Sequence, residues 1–261
     1  MQDVSRFGAT FLSWWLVAYA ALAGTYLVAG WGLTRFNKRL TRYRIQSKAS
    51  SPALARRDFY QSLRSLVTIS ALFAGGLSLR QMGIGPAAAP LTIANSILYL
   101  LVSLVLFDTW FYWTHRLVHQ KRLYRPVHRW HHRTITPTVW SNNSDLMVDN
   151  LFLQSYWFFA PLVLPIPTAI LIAHKAYDQV TGMIGHAGYE YGAGAMSAKP
   201  SPMIGTTFHD QHHAHFHCNY ATHFSHWDRL MGTIHPDYDR IVTSFPRAIP
   251  ESIPKTSEGR T

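Results

Sequence analysis

Residues 9–33 contain no charged side chain. An uncharged, largely apolar run of more than about 20 residues is long enough for a helix across a ~30 Å hydrocarbon core. A backbone placed there must satisfy its own hydrogen bonds, which leaves the helix as the fold of such a segment. The run exceeds the roughly 7–15-residue core of a cleavable signal peptide and lacks its basic leader. Three more apolar runs follow. Residues 66–79 are flanked by Arg64 and Arg80, whose stems can snorkel to water. Residues 91–113 hold one acid, Asp108, and residues 151–173 are interrupted by Pro161, Pro165 and Pro167. Prolines at that density break a helix, so the fourth run is expected to be two half-spans or a bent hairpin.

The fold class expected is all-α: an integral membrane bundle of about four transmembrane or re-entrant segments, with a cytosolic helical cap. One membrane-embedded domain covers 1–261. Its N-terminal helices and basic loop occupy 1–113. Its catalytic region occupies 114–236, with the hairpin at 151–173, and a polar tail occupies 237–261, wrapping the surface or disordered.

Charge supports this topology. The net charge is +11, yet charged residues are only 14% of the chain, against roughly 25% in soluble domains. Arg35, Lys38, Arg39, Arg42, Arg44, Lys48, Arg56, Arg57 and Arg64 lie between the first two runs, opposed by Asp58 alone. The positive-inside rule puts that loop in the cytoplasm. The charge therefore reads as orientation, and no nucleic-acid partner is expected. Three crossings return the chain to the cytosolic face near Trp113, and a hairpin after it keeps every histidine cluster there.

The chain has 15 histidines and one cysteine, Cys218. An intramolecular disulfide and a Cys-based zinc site are excluded. His115 and His119 are spaced i, i+4 and share a helix face. His128, His131 and His132 form an HxxHH pattern, which His209, His212 and His213 repeat; His186 stands between, before Gly188-Tyr189-Glu190. Adjacent histidines on a helix project roughly 100° apart, so His131 and His132 can serve two different metals. Nine ligands are too many for one structural zinc, which takes four; they suit two ions with four or five nitrogens each. Imidazole suits iron, copper, zinc and nickel. His174, His215, His217, His223, His226 and His235 have weaker spacing and are expected not to be ligands, with His215 and His217 as possible gates to solvent. HExxH, GxSxG and a phosphate-binding glycine loop are absent.

The order HxxxH, HxxHH, lone His, HxxHH resembles the fatty acid hydroxylase and sterol desaturase superfamily of membrane enzymes. Leu123-Tyr124 before the second box, Pro137 after it, Phe216 and Asn219-Tyr220 after the third, and Trp227-Asp228-x-x-x-Gly232-Thr233 fit as well. The resemblance covers residues 91–235. It departs where a His-Pro-x-Asp/Glu element is missing after the second box, and where Thr181 stands in place of a further histidine. It implies a non-haem di-iron centre held by the nine histidines, with zinc able to occupy the site in isolated protein, and O2-dependent hydroxylation or desaturation of a lipid such as a sterol, hopanoid or fatty acyl chain. It implies a separate electron donor of ferredoxin or cytochrome b5 type, because no b5 domain is fused. Asp108, Asp145, Asp149, Asp178, Asp210 and Asp228 are candidates to orient the imidazoles, Asp228 and Asp210 foremost. The competing readings are a membrane metal-binding or transport protein and a metal-dependent lipid hydrolase. The compact form, with no retrieval signal at Glu258–Thr261, favours a bacterial inner membrane; in a eukaryote the endoplasmic reticulum is expected.

Overall fold

The structure is a computed structural model that describes residues 2–192 and 202–245. Among these the chain is helical, with two isolated bridges (Arg44–Tyr189 and Met203–Phe224) and no strand. Three helices are long and apolar enough to cross a membrane: α1 (Gln2–Asn37), α2 (Pro52–Gln81) and α3 (Ile93–Val118). Leu16, Val17 and Val28 on α1 and Ile93, Ile97 and Leu101 on α3 remain exposed in the protein. Faces of that size and character are covered by lipid in a membrane protein.

Helix α2 is much longer than its apolar core. Ser51 accepts the Leu54 N–H at its N-cap and Pro52 occupies the first turn, the arrangement that starts a helix efficiently. Arg56, Arg57 and Arg64 therefore belong to the helix and not to the loop. Arg80 also departs from expectation. It does not run out to water but donates to the Ile166 carbonyl (2.7 Å) and to Thr168 Oγ1 (2.5 Å).

Those two acceptors lie at the bend of the fourth apolar region. After α4, a single turn (Lys121–Leu123), come α5 (Met147–Leu153), α6 (Tyr156–Val163) and α7 (Thr168–Gly185). Pro165 and Pro167 have no N–H to give and end α6. The carbonyls freed there are taken by Arg80 and by the Ala89 N–H, which bonds Pro165 O at 2.8 Å. The result is a bent hairpin, as the proline spacing predicts, whose arms are not among the candidate spans. Arm α6 lies against α2, and α7 against α1 and α3. Close approach requires glycine: a Cβ at Gly76 would strike the Phe158 carbonyl and Pro161. Phe73, Leu77, Phe107, Trp157, Ile166 and Leu171 form the core between them.

The cap sits where α3 ends. The basic loop is stitched to it: Ile45 N–H bonds Gly188 O (3.1 Å) and Glu190 N–H bonds Tyr43 O (2.9 Å). Helices α8 (Thr206–His215), α9 (His226–Leu230) and α10 (Tyr238–Ser244) complete it. The first part of the tail is thus helix, with Tyr238 and Val242 packed on Phe208 and Tyr112. Residues 246–261, including 258–261, lie outside the described residues.

Candidate metal centre

Each histidine arrives on its own local geometry. His115 is in the last turn of α3 and His119 is its C-cap. His128 closes a π-helical turn (Tyr124–His128), and His131 and His132 follow in a 3₁₀ turn. His186 caps α7, its N–H on Gly182 O. Helix α8 carries His209, His212 and His213. It is stopped by Phe216 in the left-handed region (φ 66°), an unusual place for a bulky residue. There the Phe216 ring lies 5.0 Å from His132.

All nine histidines come together, in two groups whose ligand nitrogens lie within 4.8 Å of one another: His115, His119, His128, His132 and His212, and His131, His186, His209 and His213. The sequence neighbours His131/His132 and His212/His213 are divided between the groups.

The partners of Nδ1 decide what the opposite nitrogens can do. His115 donates to Tyr220 O (2.7 Å), His212 to Cys218 O (2.6 Å), His213 to Thr134 O (2.9 Å) and His186 to Gly182 O (2.8 Å). A carbonyl only accepts, so Nδ1 carries the proton and Nε2 is a bare lone pair. These Nε2 atoms face one another. In the first group the separations are 3.1 Å (His115–His128), 3.2 Å (His119–His132), 3.1 Å (His128–His132) and 3.1 Å (His132–His212). In the second they are 3.4 Å (His131–His186), 3.0 Å (His186–His209) and 3.1 Å (His209–His213). Donors on one shell of ~2.1 Å metal–nitrogen bonds stand roughly 3.0–3.4 Å apart. Where such bare lone pairs converge a cation satisfies them, and each of the two groups could hold one.

Electrostatics agree. Burial, reinforced by surrounding imidazoles, holds His128, His132, His209, His212 and His213 well below the usual range, and His186 at about 3. These six imidazoles are thereby held neutral, the form metal binding requires.

Two carboxylates back the imidazoles, and they are not the favoured pair. Asp149 Oδ2 accepts from His128 Nδ1 at 2.7 Å. Asp145 Oδ1 stands 2.9 Å from His131 Nδ1, in ion-pair range but off the line of a hydrogen bond. Asp210 turns instead to Gln46 Nε2 (2.8 Å), because its place between His209 and His212 puts it off the ligand face of α8. Asp228 accepts the Tyr220 and Ala221 N–H groups (2.9 Å each), fixing the carbonyl on which His115 hangs. Asp108 takes the Thr222, His223 and Phe224 N–H groups and so holds a loop, although His226 Nδ1 lies 3.7 Å away. Asp178 pairs with Lys175 at 2.8 Å.

The six remaining histidines join neither group. His215 and His235 stack at 4.6 Å in the cap. Thr181 bonds the Tyr177 carbonyl on its own helix. Asp58 is a contributor that the spacing argument missed: it accepts from Arg57, Thr134 (2.5 Å) and Ser144 (2.9 Å) and holds the segment whose Thr134 carbonyl orients His213. Its place as the lone acid among nine basic residues was the available signal.

A cavity of about 700 Å³ opens on both groups. It is lined by His115 and His128 from one and by His131, His186 and His209 from the other, with Phe111, Leu153, Ile184 and Ile204 as apolar wall.

Fold and site together define a membrane-embedded helical protein with two adjacent histidine groups, each able to hold a metal ion. Residues 100–233 match the model of the fatty acid hydroxylase family, and the chain belongs to that family. It is similar to methylsterol monooxygenase 1 of Gallus gallus, 32% identical over 49% of this chain and 43% of that protein. It is also similar to the Delta(7)-sterol 5(6)-desaturase of Leptosphaeria maculans, 28% identical over 51% and 36%. Cholesterol 25-hydroxylase of Rattus norvegicus is 28% identical over 68% and 63%. The chain thus spans less than half the length of the first of these relatives. No solved structure matches it.

Proposed function

We propose that the chain is a non-haem di-iron oxidoreductase that uses O2 and external electrons to hydroxylate or desaturate a membrane lipid. One observation carries this: two convergent sets of buried, bare imidazole nitrogens opening on a single lipid-sized cavity inside a membrane bundle. Iron would be held by the five-histidine and four-histidine groups named above. When bound, such a pair supplies the redox chemistry of O2 cleavage and attack on an unactivated C–H bond.

The chain's own residues do the rest. Backbone carbonyls of Tyr220, Cys218, Thr134 and Gly182 and the carboxylate of Asp149 fix the rings and the tautomer. Phe111, Leu153, Ile184 and Ile204 keep water from the reacting carbon. A second cleft, of about 470 Å³, lies beside His132 and is lined by Arg57, Arg129 and Arg133. Its charge suits an acidic electron-carrier protein, of ferredoxin or cytochrome b5 type, delivering electrons near the first group. The basic loop shares this end of the bundle, which supports a cytosolic site.

The test is protein purified from iron-rich medium, assayed for metal and for O2 uptake with a reductant, with lipid analysis of a host carrying or lacking the gene. The expected result is iron in the protein, iron-dependent uptake, and a lipid that gains one oxygen or loses two hydrogens. Absence of iron, or equal turnover with zinc alone, overturns the reading.

A further inference from the structure

The wall of the large cavity includes Asp145, Asp178 and Glu190 and, among the described residues, neither lysine nor arginine. Lys175, which reaches the wall through Asp178 and Gln154, is already spent. Its Nζ binds Asp178 Oδ2 (2.8 Å) and Gln154 Oε1 (2.9 Å) and lies over the Trp157 ring. That leaves Asp178 with one oxygen, Oδ1, facing His223 Nε2 at 3.9 Å, too far for a hydrogen bond. His223 is only 3% exposed and its Nε2 has no partner. It is also held in place: its N–H bonds Asp108 Oδ1 at 2.7 Å, and its ring packs on Phe107 and Tyr177. Close by in the chain, Gln179 is 1% exposed; its Nε2 donates to Asn143 Oδ1 (2.7 Å) while its Oε1 is unpartnered. Asp178, Gln179 and His223 all line the cavity that the metal-facing histidines line.

Buried polar atoms without partners are costly; His223 Nε2 and Gln179 Oε1 are two such atoms on the wall of one cavity, and 3.9 Å separates His223 Nε2 from Asp178 Oδ1. A gap between an anionic acceptor and an imidazole nitrogen is filled by a group that donates and accepts at once. We infer that Asp178 and His223 form a hydroxyl-recognising subsite, with Gln179 as a further acceptor, and that the lipid taken is a neutral alcohol. A carboxylate or phosphate ester has no proton to give Asp178 and meets three acids on a wall without lysine or arginine. This rests on the reading above for the fate of the lipid, but the subsite itself stands on these contacts.

The test is equilibrium binding, without O2 or reductant, of two matched pairs to the detergent-solubilised protein: cholesterol against 3-deoxycholesterol, and 1-hexadecanol against palmitate. The unaltered protein is expected to favour the alcohol at least tenfold in one pair or both, because a site built around a hydroxyl rejects ligands that lack it. His223→Gln is expected to erase that preference while its metal content stays unchanged, a readout that a merely structural role would not move. No preference in either pair, tighter binding of palmitate, or an undiminished preference in folded His223→Gln overturns the subsite. The ligand series on the unaltered protein decides alone if the variant does not fold. An intact alcohol preference without iron-dependent O2 uptake would overturn the oxygenase reading and leave the subsite standing.

Discussion

At the scale of single residues the site separates groups placed to hold a metal from groups that position them. Asp149 reaches an imidazole directly, whereas Asp228 reaches one only through the backbone around Tyr220. Asp149→Asn is therefore expected to cost about 10–100-fold in metal affinity or turnover, read by competition with a chelator. Asp228→Asn should show its main effect as a lower Tm, with the tightness of metal binding in the folded fraction little changed. His131→Ala removes a donor from the smaller group. It should abolish turnover and lower bound metal while membrane insertion, followed by fractionation, is retained. Cys218 gives a pH-dependent control. Burial pushes its thiol up to about 12, so the thiolate is nearly absent at pH 8 and grows only as pH approaches that value. Maleimide at pH 8 should leave the folded protein unlabelled and label it after denaturation.

At the scale of elements, what was legible followed periodicity. The i, i+3 and i+4 spacings picked out eight of the nine clustered histidines, His186 standing alone before Gly188-Tyr189-Glu190, and the divergence of adjacent helical residues showed that His131 and His132 can face different groups. The proline-broken hairpin was legible for the same reason. The carboxylates were not. Asp210 is beside two of the histidines in sequence yet off their face, while Asp145 and Asp149 lie in a separate segment that only tertiary folding brings to His131 and His128. Nor could isolated polar residues such as Lys175 and Gln179, which follow no period, be assigned a purpose before their partners were known. Packing of α6 on α2 depends on Gly76. Gly76→Val must displace the Phe158 backbone and should destabilise the bundle by about 1–3 kcal/mol, seen as a lower Tm in detergent.

At the scale of the whole molecule the two pockets are structural as well as chemical. They join the end of α3, the turn after it, α7 and α8, so ions bound there would act as cross-links among segments distant in sequence. Each ion present at a hundredfold excess over its dissociation constant adds about 2.7 kcal/mol to the folded state. Chelation should therefore lower Tm, and iron should restore it. Orientation can be read independently with Lys48→Cys, since Cys218 is silent: a membrane-impermeant maleimide should label it in inside-out vesicles and not in intact cells.

Because His131 and His132 are consecutive residues assigned to different pockets, as are His212 and His213, neither pocket can be shaped without nearly shaping the other. The first ion to enter must order both the turn at 128–132 and helix α8, and that ordering cost is then already met for the second. Loading is thus cooperative: native mass spectrometry during iron titration should show empty and doubly filled protein, with little of the singly filled form between them.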